Sequence, residues 1–393
     1  MQFELLSLPQ IIFGVHRLND MSNILPDYGT KFLLVGSTSA IQAARENCSF
    51  FDDVIDKGMV LETQIVKGEP TVQFIDDCVT KVRELGTDGV IAMGGGSAID
   101  TGKAVAGIST NGGSARDYME VIGKGSKVEK SPLPFIAIPT TAGTGSEVTK
   151  NAVIHARDEE LKASIRSPLL IPKLAVLDPI ILTSVPPSVT ASCGMDAFTQ
   201  LVEAFTSKHA HPLTDTLALA GIEKVRKSLV RSYTDGKDLQ ARSDMLYASL
   251  LSGICLANAG LGAVHGFASP MGGFDIPHGM ICASLLGPVI ETNLQEITRS
   301  SIPNSNTLLT KYLLLAKALL PEFSASEADL LMGLVSFIKD MGRDLNIPTL
   351  SQLGIDTSDF PSLVEKAKRT SSMRYNPIEL DQKALFRILE TAY

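Results

Sequence analysis

The sequence predicts a two-domain protein, an α/β domain with a parallel sheet over residues 1–186 and an all-helical domain over residues 187–393. Three observations carry that expectation. In the first half four short apolar runs alternate with helical patterns: "KFLLVGS" at 31–37, "GVIAMGGGS" at 89–97, "PFIAIPTT" at 134–141 and "LAVLDP" at 174–179. Runs this apolar, bounded by Gly or Pro, suit strands covered on both faces of a parallel sheet. After "SVPPSV" the periodicity becomes that of helices, as in "TDTLALAGIEKVRKSLVRSY" and "LLMGLVSFIKDMG", with few strand-like runs. Finally, two of the apolar runs lead straight into glycine- or threonine-rich loops, at the strand ends where α/β sheets bind ligands.

The composition narrows the class. With 393 residues, 44% apolar and 20% charged, the chain can bury a large core and is globular rather than disordered. A net charge of -8 supplies no basic footprint for nucleic acid or an anionic membrane face. The start, "MQFELLSLPQIIFG", lacks a basic region followed by a long apolar core, and no apolar run reaches bilayer length, so a cytoplasmic location is expected. Cys48, Cys78, Cys193, Cys255 and Cys282 are odd in number and widely spaced. They read as small buried hydrophobes rather than a disulfide framework or thiolate cluster, with Cys193 a candidate reactive thiol because it lies near Asp196.

The first loop, "VIAMGGGSAIDTGKA", is a buried strand, the glycines Gly94, Gly95 and Gly96, and a helix expected to open at Ser97. Consecutive glycines let backbone approach a ligand, and a helix start offers free N–H groups and positive dipole potential for a pyrophosphate. Ser97 and Asp100 fit a capping box with Asp in the usual Glu position. The ordinary G-x-G-x-x-G fingerprint is absent. The second loop, "IPTTAGTGSEVT", gathers Thr140, Thr141, Thr144, Ser146 and Thr149, more hydroxyls than a turn requires. Together the two loops point to a nucleotide across the sheet edge.

In the helical half, "CGMDAFTQLVEAF" places Asp196 and Gln200 four apart on an apolar helix, side by side on one face. A carboxylate in that setting needs a partner. His265 and His278 lie in the glycine-rich "GLGAVHGFASPMGGFDIPHGM", and with Asp196 they form an N/O set for a divalent metal. His209 and His211, in "SKHAHPLTD", read as solvent-facing. His16 and His155 carry no signal.

Taken together, "GEPT" at 68–71, "GGGSAIDTGKA" at 94–104, "PTTAGTGSEVT" at 139–149, "GMDAFTQLVEAF" at 194–205, "TDTLA" at 214–218, "GAVHGFASPMGG" at 262–273 and "PHGM" at 277–280 resemble the iron-containing, or group III, alcohol dehydrogenases over nearly the full length. The resemblance implies a Rossmann-like dinucleotide-binding domain and a helical metal-binding domain, the plan shared with dehydroquinate synthase. It implies that Gly95, Gly96 and Ser97 hold the pyrophosphate and that Thr140, Thr141 and Thr149 line the cofactor, within a wider set taking in Ser37, Gly94, Asp100 and Thr144. Asp196, His265 and His278 fall on three of four metal-ligand positions, and Lys162, in "ELKASI", matches a lysine near the substrate.

The chain departs from the family at three places. The fourth ligand, normally His, is Gln200, whose oxygen is a weaker donor to iron or zinc than imidazole. Ser269 replaces a His often assigned to proton relay, leaving a hydroxyl or water chain to move the proton. Ser37 stands where NAD-preferring members carry Asp, so NADP is admitted beside NAD. The implied activity is NAD(P)-dependent interconversion of a small alcohol and its aldehyde or ketone, with Fe²⁺, Zn²⁺ or Mn²⁺ polarising the carbonyl oxygen, in a homodimer. Two rival readings keep the fold: a metal-independent reductase resembling maleylacetate reductases, with His265, His278 and Lys162 stabilising the oxyanion, and a catalytically idle nucleotide-binding relative.

Overall fold

The computed structural model describes residues 2–156, 161–299 and 305–393. These residues form two compact units. One comprises residues 6–185 together with residues 236–246; the other comprises residues 2–5, 186–235 and 247–393, as far as each is described. The division between the units falls between Val185 and Pro186. Two short segments fall on the other side of a simple cut, residues 2–5 and 236–246. Arg242 anchors the second, donating from Nε to the Gly236 carbonyl (2.9 Å) and from Nη2 to that of Val185 (2.8 Å).

The sheet unit is built on six parallel strands: β1 (Gln10–Phe13), β2 (Lys31–Gly36), β3 (Val60–Ile65), β4 (Gly89–Gly94), β5 (Phe135–Pro139) and β8 (Leu174–Leu177), in the order β1-β8-β5-β4-β2-β3. The four apolar runs are β2, β4, β5 and β8, and β4, β5 and β8 are buried along their whole length. Sequence reading did not single out β3 and β1, the two edges, which are part-exposed and mixed in polarity. It also missed an antiparallel pair, β6 (Asn151–Ala156) with β7 (Leu161–Arg166). Helices Thr38–Asn47, Val72–Leu85 and Gly96–Asn111 follow β2, β3 and β4. Ser37 and Thr71 cap the first two through their hydroxyls. Gly86, at φ 59, ends Val72–Leu85 in the left-handed region that glycine adopts without strain. Leu33, Val35, Val79, Val90, Ile99 and Val105 belong to one buried cluster between the sheet and these helices.

This strand order positions a ligand. β2 is flanked by β3 on one side and β4 on the other, so the chain reverses its direction of winding there. The crevice outside the carboxyl ends of β2 and β4 is the topological switch point, where open α/β sheets take nucleotides.

The other unit has helices alone among its described residues. At its centre is Pro187–Thr206, buried continuously from Gly194 to Thr206. Two glycines let neighbouring helices close on it. A Cβ on Gly221, in Pro212–Thr234, would come within 2.8 Å of the Leu201 side chain. A Cβ on Gly279, in His278–Arg299, would fall 2.0 Å from the Ser192 carbonyl oxygen. The second contact is backbone against backbone and cannot relax by a rotamer change, so it fixes how near His278 and its neighbours come to Asp196. No single helix among the described residues is long and apolar enough to cross a membrane.

Candidate functional site

Four side chains from three helices of this unit converge. Asp196 comes from Pro187–Thr206, His265 from Ala263–Met271, and His278 and Cys282 from the first two turns of His278–Arg299. One ligand atom from each lies within 4.8 Å of all the others. His265 Nε2 is 3.2 Å and His278 Nε2 3.9 Å from Asp196 Oδ1. Cys282 Sγ is 3.6 Å from His278 Nε2 and 3.8 Å from His265 Nε2. Asp196, His265 and Cys282 are buried, whereas the His278 side chain is 49% exposed, so the group opens to solvent on one side.

Glu203 supports this group. Its carboxylate accepts from His265 Nδ1 at 2.6 Å, Val264 N at 2.7 Å and His265 N at 3.4 Å. It therefore caps Ala263–Met271, whose N-cap residue Gly262 has no side chain to do so. It also holds the Nδ1 proton of His265, so Nε2, which faces Asp196, is the nitrogen left to serve a metal, the arrangement of metal-ligating histidines. Asp196, Gln200 and Glu203 recur at i, i+4 and i+7 on one helical face.

The charges compensate one another. Burial alone would raise the Asp196 carboxyl, but hydrogen bonds from His265 and Gln200 and the charge of His278 hold it below its ordinary value. Negative charge on Cys282 lifts His278 to about 9, a shift that solvent weakens because half the side chain is exposed. Burial would lower His265, yet Cys282, Asp196 and Glu203 keep it well above the usual range. Burial would also raise the Cys282 thiol, but the two imidazoles bring it below 9.0. Cys48, Cys78 and Cys255 are each pushed up to about 12, chiefly by burial. No disulfide joins any of the five.

Gln200 is buried beside this group. Its amide oxygen lies 2.8 Å from the Ser252 hydroxyl. Cys282 and Glu203 are the residues sequence reading missed. Cys282 stands four residues after His278 on a helix, the same spacing that drew attention to Asp196 and Gln200.

In the sheet unit the two predicted loops meet at the switch point. Thr140 N donates to the Gly94 carbonyl at 2.9 Å, and Ser37 N to that of Met93 at 3.2 Å. A Cβ on Gly95 would lie 3.2 Å from Thr141 Oγ1, and one on Gly96 3.0 Å from Thr144 Cγ2. Side chains at either glycine would fill the space between the loops. The helix opens at Gly96 with Gly95 as N-cap, not at Ser97, and no capping box forms. Asp100 turns inward instead, accepting from the Ser146 hydroxyl and from Val153 N at 3.0 Å. Beside it the fully buried Lys103 donates to Ser146 Oγ (3.0 Å), Thr149 Oγ1 (2.9 Å) and the Asn151 carbonyl (2.7 Å). Thr149 and Asp100 are thus tied into a polar core beneath the loops. Burial pulls both Lys103 and Asp100 toward neutrality, and it pushes Glu147, next in sequence to Ser146, up to about 7.

Of the remaining predicted residues, Lys162 lies on β7 in the sheet unit, paired with Glu69 at 3.2 Å. Ser269 is exposed one turn beyond His265, and Cys193 is part-exposed and outside the converging group. His209 is exposed as expected. His211 is not: it is buried, its ring stacked on Phe3 with centroids 4.3 Å apart.

A doubly wound sheet with a two-loop cradle, accompanied by a helical unit carrying a carboxylate–imidazole–thiol group, defines the architectural class. Residues 9–179 match the family model described as iron-containing alcohol dehydrogenase, and residues 190–393 match its C-terminal domain. The chain is 36% identical over 326 residues to alcohol dehydrogenase 4 of Saccharomyces cerevisiae, covering 82% of this chain and 81% of that protein. Its fold is similar to the crystal structure of a 1,3-propanediol oxidoreductase, with a TM-score of 0.90 and 29% identity over 100% of both chains. It is also similar to sulfoacetaldehyde reductase from Bifidobacterium kashiwanohense in complex with NAD+, with a TM-score of 0.87 and 27% identity over 100% of this chain and 99% of that one. The chain belongs to the iron-containing alcohol dehydrogenase family, and it is an oxidoreductase of that class.

Proposed function

We propose that the protein interconverts a small primary or secondary alcohol and its aldehyde or ketone, using NAD or NADP and a divalent cation held by Asp196, His265 and His278. The observation that carries this reading is the convergence of one carboxylate and two imidazoles at 3.2 and 3.9 Å, with Glu203 fixing the ring of His265. An anionic oxygen donor with two neutral nitrogens suits Fe²⁺, Zn²⁺ or Mn²⁺. When bound, the cation polarises the substrate oxygen and stabilises the negative charge that develops on it. The nicotinamide supplies or accepts the hydride.

The chain's own residues bind and orient. Gly94, Gly95, Gly96 and Ser97 seat the pyrophosphate at the start of Gly96–Asn111, where free N–H groups and the helix dipole favour phosphate. Thr140, Thr141 and Thr144 line the cradle, while Asp100 and Thr149 brace it from below through Lys103. Ser37 offers a hydroxyl where a carboxylate would repel a 2′-phosphate, so both cofactors are accepted. With Ser269 in place of a histidine, the proton moves through a hydroxyl or water. Lys162 enters as a substrate contact through the family resemblance alone, and its pairing with Glu69 would have to open for that role. Five cysteines without a disulfide support a reducing, cytoplasmic location, and the family resemblance supports a homodimer.

The test is removal of metal with a chelator, followed by an assay of NADH and NADPH oxidation with a panel of small aldehydes and re-addition of Fe²⁺, Zn²⁺ or Mn²⁺. Activity that falls on stripping and returns with one cation is expected. Unchanged turnover after complete removal would establish the metal-independent alternative. Cofactor binding without turnover of any aldehyde would identify an idle relative.

A further inference from the structure

We propose that Cys282, not Gln200, is the fourth protein ligand of the metal centre, giving an Asp–His–His–Cys set that favours a thiophilic cation such as zinc over iron. The inference rests on the metal-dependent reading above and deepens it.

Gln200 is disqualified by its partners. Only its amide oxygen could ligate, and that oxygen lies 2.8 Å from the Ser252 hydroxyl. To reach a cation it would have to leave that hydroxyl inside a buried site, where an abandoned polar group costs roughly 1–3 kcal/mol. As placed, it steadies the Asp196 carboxylate.

Cys282 is already in position. Bonds of roughly 2.3 Å to sulfur and 2.0–2.1 Å to nitrogen or oxygen at tetrahedral angles put sulfur about 3.6 Å from nitrogen, and oxygen about 3.3 Å from nitrogen. The structure has Cys282 Sγ 3.6 and 3.8 Å from the two Nε2 atoms, and Asp196 Oδ1 3.2 and 3.9 Å from them. Three of these four edges thus lie near those of a small tetrahedral ion before any ion is added, and the fourth, from Asp196 Oδ1 to His278 Nε2, is longer. The placement follows from the helix. Cys282 is four residues after His278, so both face the same way, and the approach of Gly279 to Ser192 brings that face against Asp196. Thiolate selects zinc and other borderline or soft cations, whereas an all-oxygen-and-nitrogen shell does not. Losing an imidazole at 200 and having a thiol at 282 therefore relocates the fourth donor instead of deleting it.

Cobalt(II) is the probe. The metal-stripped protein, loaded with one equivalent of Co²⁺, is expected to show visible d–d bands together with a near-ultraviolet thiolate-to-cobalt charge-transfer band. The charge-transfer band should vanish in Cys282→Ser while the d–d bands persist, and it should survive in Gln200→Ala. Cys282→Ser should weaken Zn²⁺ binding by more than about tenfold and Mn²⁺ binding by less. Wild-type protein that takes up Co²⁺ without a charge-transfer band, or a band unchanged by Cys282→Ser, overturns the thiolate ligand and leaves the metal reading intact. Failure of the wild type to take up Co²⁺ at all overturns both. The wild-type spectrum decides the question even if a variant fails to fold.

Discussion

Replacing Glu203 with Gln removes one negative charge and almost no volume, which isolates what the carboxylate does. Its two oxygens accept from Val264 N at 2.7 Å, His265 Nδ1 at 2.6 Å and His265 N at 3.4 Å, all in the buried interior. An amide has a single acceptor end. If its oxygen keeps the imidazole, its NH2 faces the Val264 N–H; if it keeps the backbone, the NH2 faces the Nδ1 proton. The first arrangement strands a buried donor and the second makes the ring give up its Nδ1 proton, at a cost of up to about 1–3 kcal/mol to the metal-free fold. The metal should feel a second loss. Without an anionic acceptor at Nδ1 the ring is a poorer base and its tautomer is no longer enforced. Outer-shell changes of this kind cost about 10–100-fold in metal affinity, or about 1.4–2.7 kcal/mol. Competition with a chromophoric chelator reads the affinity, and thermal unfolding of metal-free protein reads the stability. A lowered Tm with unaltered metal affinity would refute the argument, reducing Glu203 to a helix cap.

Three further outcomes follow from the same geometry. Gly279→Ala should lose metal binding and unfold at lower temperature, because a Cβ 2.0 Å from the Ser192 carbonyl oxygen must push His278–Arg299 away from Asp196, an overpacking cost of about 1–3 kcal/mol; metal content and calorimetry check both. Glu147 is raised from 4.5 to about 7 by burial, so its neutral form is the one the fold favours: stability is complete below about pH 4.5 and falls as pH rises through about 7. Glu147→Gln should remove that fall, gaining up to about 3 kcal/mol over wild type in mild alkali and little in acid, and parallel urea titrations at the two pH values would expose equal effects as a contradiction. Ser37→Asp should preserve the helix cap now made by the Ser37 hydroxyl on Ala40 N at 3.2 Å, because Asp caps as well as Ser. It should weaken NADPH relative to NADH by about tenfold or more, and fluorescence titration with both cofactors would show an unchanged ratio if Ser37 does not face the ribose.

What could be read in the sequence tracks how much of each feature is local. β4 and β5 are buried on both faces, so their residues announce themselves as unbroken apolar runs. β3 is an edge strand whose residues are only part-buried or exposed, and its mixed "VLETQI" carries no such signal. Asp196, His265 and His278 stood out because ionisable residues are costly in apolar or glycine-rich surroundings. Cys282 did not, because a cysteine in "MICASLLG" is indistinguishable from a small core residue until Gly279 is seen pressed against Ser192. The partners of Gln200 were illegible for the same reason: Ser252 lies 52 residues away and meets it only through helix packing. Likewise Ser97 and Asp100 have capping-box spacing, yet Asp100 is drawn inward by Lys103 one turn on and by Ser146 in the other loop.

The central claim is that Asp196, His265 and His278 hold the catalytic cation. Anomalous scattering from crystals of the protein as purified, collected on either side of the absorption edge of the metal found in it, tests that most directly. A single peak within bonding distance of those three side chains, with Cys282 Sγ completing the set, is the expected result; active crystals with no anomalous peak at these residues would contradict it.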